Sequence, residues 1–505
     1  MAILPADLAT TWLAPALVLT ITSFFLLYHR SVFPKRSPFP IVNSYPYDFL
    51  NRKAHKTYLD NAQDLITQGL EKHNSPITLS TPSGPLFILP ARLIDWVRAN
   101  PDLDHQELVL QQYFGNFPGF EANKIMHDDP DNLVINLIKK KLSQNGRLVP
   151  ILSRHISEAL DELWTEDEDW HLIEWYGSTM GLISRAAGAV FAGEKLSRDG
   201  EWQRMTMRYA TGFFSAAFEL MRWPGWMRPV VHWFMPGARD CRKLMRDARK
   251  VMREELKRRE RERIEGKGEE EYFDAVRWSE ELAGRKKVDH GAVQLSLAMA
   301  ALHTTSSALR QVLLDLCEHD ELVEPLREEA REAVKDHGVT SAAVAKMHLL
   351  DSVMKESQRL GPPTIAGPER LAIRDTKLPD GTVLARGSHI AVDQSGMRSP
   401  RNYSDPEKFN GYRFYTMREA GDERTAFASS TKEHSVFGIG KHICPGRFLA
   451  AVEIKLCLAH ILLKYDIRFR QGYKPQSAKL GIVNMVDIAA QIEVRRRHDD
   501  DDVLV

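Results

Sequence analysis

The stretch that most narrows what this chain can fold into is Phe437-Gly438-Ile439-Gly440-Lys441-His442-Ile443-Cys444-Pro445-Gly446-Arg447. Only glycine reaches positive φ freely, so Gly438 and Gly440 permit a loop pressed close against a flat neighbour. Pro445 suits the first turn of a helix, and residues 448–463 are apolar at helical spacing. Cys444 is therefore expected at a helix N-terminus, where free N–H groups and the helix dipole favour a thiolate. A thiolate fixed on a rigid loop is a natural metal ligand. A buried structural cysteine is the alternative, and the rest of the chain has to decide between them.

Composition removes several classes. The 505 residues are 43% hydrophobic and 27% charged, with a formal net charge of zero, which argues against non-specific nucleic-acid binding. Four cysteines in such a length are no disulfide framework, so a reducing compartment is expected. Residues 8–28 are almost uncharged and approach the ~20 residues that cross a bilayer core. Asp7 precedes them, and His29, Arg30, Lys35 and Arg36 follow, which puts the body of the chain on the cytoplasmic side. The missing basic segment ahead of the apolar run weakens a cleaved signal peptide.

Short strands are expected at 77–79 and 86–89. Helical spacing runs through 132–142, 148–164, 172–191, 201–222 and 239–263, the last charge-laced and expected in solvent. Residues 292–316 are apolar nearly all round at first, so buried on several sides. Within them lies Ala300-Ala301-Leu302-His303-Thr304-Thr305-Ser306-Ser307. Hydroxyls clustered mid-helix compete for backbone partners, and local misfit of this kind is expected at functional sites. Simple bonding back to carbonyls one turn earlier is the alternative. Glu356 and Arg359 stand at i and i+3 on one helix face. Residues 361–367, rich in Gly and Pro, should run extended along a cavity wall. The aromatic loop 114–120 is expected to fold over a cavity, with core packing as the other outcome.

The pattern Phe-Gly-x-Gly-x-His-x-Cys-Pro-Gly-Arg over 437–447 closely resembles the haem-binding signature of the cytochrome P450 family. Other segments agree in order: the apolar start with Pro34, Pro38 and Pro40, the 300–307 string, Glu356-Ser357-Gln358-Arg359, and Pro406 to Phe409 with Arg413-Phe414. The resemblance implies a mainly α fold with small β-sheets in a single catalytic domain. The division expected is a transmembrane anchor over 1–30, a basic, proline-rich hinge over 31–42, the haem-thiolate domain over 43–494 and a charged, disordered tail over 495–505. Heme b would be held through the Cys444 thiolate, with Phe437, Gly440, His442, Arg370 and Arg447 as further cofactor contacts. Glu356, Arg359 and Arg413 would form a buried structural network, Gly411 standing where the family often has proline. Thr304 aligns with the threonine that relays protons in oxygen activation. His303 replaces the usual acid, and a neutral imidazole can act either as relay or as hydrogen-bonding spacer. The usual Trp-x-x-x-Arg motif is absent from 132–142, where Lys139-Lys140-Lys141 reads mostly as a solvated face.

That resemblance implies a monooxygenase that inserts oxygen from O2 into a bulky hydrophobic substrate. Phe114, Phe117, Phe120, Ala300, Ala301, Ile365 and Val483 would contact that substrate. No flavin or nicotinamide motif is present, so electrons would come from NADPH-cytochrome P450 reductase, with cytochrome b5 as a second donor. Lys432 and Lys441 are candidate docking residues for the reductase. The location implied is the endoplasmic reticulum membrane, single-pass, with the catalytic domain cytosolic. Ala-Leu-His-Thr-Thr-Ser and Cys-Pro-Gly-Arg-Phe look like filamentous-fungal members of secondary metabolism, whose substrates include terpenoids, meroterpenoids and indole diterpenes. A fatty-acid hydroxylase, a haem-thiolate isomerase or dehydratase needing no reductase, and a haem-binding scaffold without chemistry are the other readings.

Overall fold

The computed structural model describes residues 37–143, 146–266 and 272–498, with isolated positions 15, 18, 19, 22 and 23. Apart from those positions, the expected anchor over 1–30 falls outside the described residues, as do 31–36 of the hinge and 499–505 of the tail. Among the described residues, no helix is long and apolar enough to cross a membrane.

Among the described residues helices dominate, beside one five-stranded, one three-stranded and two two-stranded sheets. Helix α1 (Arg52–His73) leads into the hairpin β1 (Ile77–Thr81) and β2 (Gly84–Leu89). Glu121–His127 forms the short helix α2. The helical body is α3 (Leu148–Leu163), α4 (Trp175–Phe191), α5 (Gly200–Met221), α6 (Pro236–Ile264), α7 (His290–Glu318), α8 (Val323–His337), α9 (His348–Leu360) and α10 (Arg447–Lys464). The larger sheet adds β3 (Leu103–Asp104), β4 (Arg370–Ala372) and β5 (His389–Val392), in the order β1-β2-β5-β4-β3. Among the strands of that sheet only β2 and β5 pair in parallel. A late hairpin, β6 (Ala478–Leu480) and β7 (Val483–Met485), stands apart.

The central helix α7 behaves as its sequence requires. Asp289 caps it, its carboxylate accepting the Ala292 N–H at 3.1 Å. Every residue from His290 to Met299 is buried, with α4, α5 and α6 packed around it. At Ala300 and Ala301 this enclosure opens, and His303 and Thr304 are accessible from the cavity, enclosed by its walls. The hydrophobic pattern thus fixes a buried shaft that ends at a cavity.

Three expectations are corrected. Helix α6 is not a solvated rod: Ala238, Cys241, Leu244, Met245, Ala248 and Met252 form a buried stripe, and buried Arg259 pairs with Asp274 at 2.7 Å. Residues 172–191 are not helical throughout, because His171–Leu172 pairs with Glu493 and Val494 as a strand and the helix begins at Trp175. The tail does not start at 495. Arg495 and Arg496 belong to the strand Ile492–Arg496, where Arg496 Nη1 donates to Asp161 Oδ1 at 2.9 Å.

Gly411 has a steric reason. A Cβ there would lie 2.6 Å from Leu322 Cδ1 and 3.1 Å from Val353 Cγ2, closer than packed cores tolerate. Gly411→Ala is expected to lower stability by about 1–3 kcal/mol, read as a lower thermal midpoint. An unchanged midpoint would show that Leu322 moves aside without cost.

Candidate active site

The cysteine loop is held by backbone bonds. Cys444 N–H donates to Phe437 O at 2.8 Å, and Gly438 N–H to Ser435 O at 2.8 Å. Gly438 and Gly440 have φ of 76° and 68°; a Cβ on Gly440 would meet Arg98 Cγ at 2.9 Å. Helix α10 begins at Arg447, after a turn at Pro445 and Gly446, so the proline precedes the helix rather than opening it. The thiol is therefore not favoured outright as a thiolate. Burial pushes the Cys444 thiol up, and the N–H groups of Gly446 and Arg447 with the Arg447 charge offset this only in part.

Above this loop lies one large cavity, about 1440 Å³, lined by Cys444, Phe437, Ala300, Ala301, His303, Thr304, Ile365, Arg370, His442 and Val483 among others. Ligand sites commonly enclose ~300–1,000 Å³, so this one has room for two bodies. Thr304 Oγ1 donates to Ala300 O at 2.7 Å. The expected back-bonding is real, yet it leaves the Thr304 oxygen facing the cavity as an acceptor. His303 also faces the cavity, its ring centroid 5.8 Å from that of Phe214. Burial, then the nearby Arg310 charge, lowers its basicity, so the imidazole is held neutral.

Glu356, Arg359 and Arg413 come together in one buried cluster. Arg359 makes two 2.8 Å bonds to the Glu356 carboxylate, and Arg413 Nε donates to Glu356 Oε1 at 3.0 Å. Arg359 Nη1 also reaches the carbonyls of Met397 and Pro406 at 2.7 and 2.6 Å. This clamp ties α9 to the 397–413 segment.

Several expected site residues lie elsewhere. Phe114, Phe117 and Phe120 are not on the cavity wall: Phe114 stacks on Phe117 at 5.6 Å, and Phe120 packs on Phe213 at 5.3 Å within a separate core cluster. Gly440 sits behind the wall against Arg98. Arg447 donates to Cys444 O at 2.9 Å and covers the Phe448 ring at 4.2 Å, off the cavity. Arg370 and His442 do line it. Of the three lysines, Lys140 is exposed and Lys141 pairs with Glu281 at 2.8 Å, while a π-helical turn over Ile138–Leu142 leaves Lys139 at the cavity.

Sequence reading missed His105, His127 and Glu453, all on the wall. Burial raises the Glu453 carboxyl to about 8, and its Oε1 has no partner. Burial, then Arg370, takes His442 down to about 4. Burial also brings Arg370 down to about 10, and its hydrogen bonds go to the Glu369 and Ile439 carbonyls. These residues fit haem on two counts. The Cys444 thiol stands on one wall for the iron, and the Arg370 guanidinium, with the unsatisfied nitrogens of neutral His127 and His442, can donate to the macrocycle's carboxylates.

Comparison with known proteins agrees. The cytochrome P450 family model matches residues 194–488. The chain is 36% identical to cytochrome P450 monooxygenase adrA of Penicillium rubens over 95% of each protein. It is 34% identical to the dideacetyl fusicoccin A C-19 hydroxylase of Phomopsis amygdali, covering 95% of this chain and 92% of that protein. Against cytochrome P450 monooxygenase pyr3 of Aspergillus fumigatus, identity is 34%, with coverage of 93% and 91%.

Proposed function

Because this chain belongs to the cytochrome P450 family of haem-thiolate monooxygenases, we propose that Cys444 is its iron ligand and that it oxidises a bulky, hydrophobic intermediate of a fungal biosynthetic pathway. One observation carries this: Thr304 and Cys444, contributed by α7 and by a loop 140 residues later in the chain, line the same cavity. Haem, when bound there, supplies reductive activation of dioxygen. The chain supplies the rest. The Cys444 N–H bond to Phe437 O fixes the sulfur. Arg370 and His442 offer donors to the cofactor's carboxylates. Thr304, with its hydroxyl proton on Ala300 O, accepts a hydrogen bond from the cavity side and so holds the donor of a proton beside the reacting centre. His303, kept neutral, can pass a proton on from one ring nitrogen to the other.

A terpenoid, meroterpenoid or indole-diterpene intermediate suits the wall formed by Ile66, Phe191, Leu297, Ala300, Ala301 and Ile365. The fusicoccin hydroxylase relative adds support for that class. As family members generally do, the enzyme takes electrons from a redox partner, here NADPH-cytochrome P450 reductase with cytochrome b5 as auxiliary. Exposed Lys432 and Lys441 offer it a basic contact, although each also faces a carboxylate of its own chain, Asp95 at 3.5 Å and Asp104 at 3.9 Å. Association with the endoplasmic reticulum is supported by exposed Tyr47, Phe49, Trp226, Trp233 and Phe234, with the apolar residues 8–28 as single-pass anchor.

The test is a carbon monoxide difference spectrum of the reduced protein, followed by turnover of candidate terpenoids with NADPH and reductase. A thiolate-type Soret band and reductase-dependent product are expected. Product formed without reductant would favour an isomerase instead. Thr304→Ala is expected to retain haem yet divert reducing equivalents to peroxide, measured as NADPH consumed per product formed. Unchanged coupling would remove Thr304 from the proton path.

A further inference from the structure

We propose that His127 hydrogen-bonds the carboxylate edge of the haem, taking the place of the Trp-x-x-x-Arg pair that residues 132–142 lack. The inference rests on the haem-thiolate reading above. His127 ends α2 and lines the cavity, and its Nδ1 is buried without a partner. Native folds leave few buried nitrogens in that state unless a ligand completes them. His442 Nε2, on the same wall, is also unpartnered, and its side chain is only 8% exposed.

These nitrogens belong to one cluster. The His105 and His442 rings lie 6.3 Å apart, and burial, with His105 adding to it, takes His127 down to about 4. Arg370, 2% exposed, joins them, its charge adding to burial in lowering His105 and His442. Two carboxylates are near. Glu369 is engaged by His389 at 2.8 Å, and Asp104 Oδ2 lies 3.6 Å from His442 Nε2, beyond a hydrogen bond. Arg370 and three imidazoles therefore gather beside two carboxylates that already hold partners, Asp104 Oδ1 accepting the Glu107 N–H at 3.0 Å. The surplus of donors is the complement of a doubly anionic edge.

Within the cluster His127 is the donor best placed to act. His105 already uses Nδ1 on Glu369 O at 3.1 Å, which leaves its neutral ring an acceptor on the other side. Lys139 reaches the cavity on a long, exposed side chain, which loses more conformational freedom on binding than a buried ring does.

The experiment compares ferric holoenzyme of the wild type, His127→Ala, His127→Asn and Lys139→Ala. Haem release is followed by transfer to excess apomyoglobin, and the propionate-bending band by resonance Raman. His127→Ala is expected to release haem about tenfold faster and to shift that band. His127→Asn, whose amide N–H stands near the Nδ1 position, should recover most of both, and Lys139→Ala should change release by less than about twofold. A wild-type release rate in His127→Ala overturns the inference. So does faster release with an unmoved propionate band, which marks packing alone, or a loss carried by Lys139→Ala instead. A wild type lacking the thiolate Soret band would defeat the haem-thiolate reading itself, a result separable from all of these.

Discussion

Cys444→Ser is expected to abolish the thiolate-type band of the reduced carbon monoxide complex and to bring turnover to background. Serine is nearly isosteric, so the loop should survive: its position is fixed by the Cys444 N–H bond to Phe437 O and by the glycine turns at 438 and 440, none of which involves the sulfur. What changes is electronic. A thiolate pushes electron density to the iron and favours O–O cleavage, and an alcohol oxygen does not replace it in that role. Circular dichroism should therefore match the wild type while the spectrum and the product are lost. If the serine variant keeps the same Soret band and yield, Cys444 is not the ligand.

Glu356→Ala should produce the largest loss of stability. Glu356 and Arg359 have fully buried side chains, and Arg413 is nearly so. Removing the carboxylate strands two guanidinium groups and the Asn410 N–H that donates to Glu356 Oε1 at 3.0 Å. Breaking a buried pair costs about 3–5 kcal/mol, a large share of the ~5–15 kcal/mol that holds a folded domain together. The expected readouts are a much lower thermal midpoint and poor haem incorporation. Asp240→Ala, which breaks the exposed Arg208–Asp240 pair, is the control and should cost no more than ~1 kcal/mol. Comparable losses in both variants would show that the buried clamp does not stabilise the core.

The contrast between these residues and the misplaced ones shows where sequence is legible. The shaft of α7 could be read because apolar residues on all sides, then small residues and hydroxyls, are local signals with a definite spacing. Glu356 and Arg359 share a helix turn, so their pairing was also local. The 114–120 loop was not legible in this way. Its aromatics look the same whether they border a cavity or fill a core, and the deciding partner, Phe213, lies some ninety residues away. Arg447 failed for a related reason. A guanidinium beside the cysteine can serve a ligand or a carbonyl, and only the turn at 445–446 points it at Cys444 O. His127 gave no signal at all, because an imidazole at the end of a short helix becomes a wall residue only when β4 and the cysteine loop close around it.

The late hairpin closes one side of the cavity. Gly481 N–H donates to Leu59 O on α1 at 2.9 Å, Lys479 Nζ donates to Gln63 Oε1 at 2.7 Å, and Val483 bridges Thr364 across the wall. One rim of the chamber is thus stitched from both ends of the polypeptide, on elements separate from those carrying the sulfur and the hydroxyl. Exchanging side chains at 483–485, all on the cavity wall, is expected to reshape that rim while leaving Cys444 and Thr304 in place.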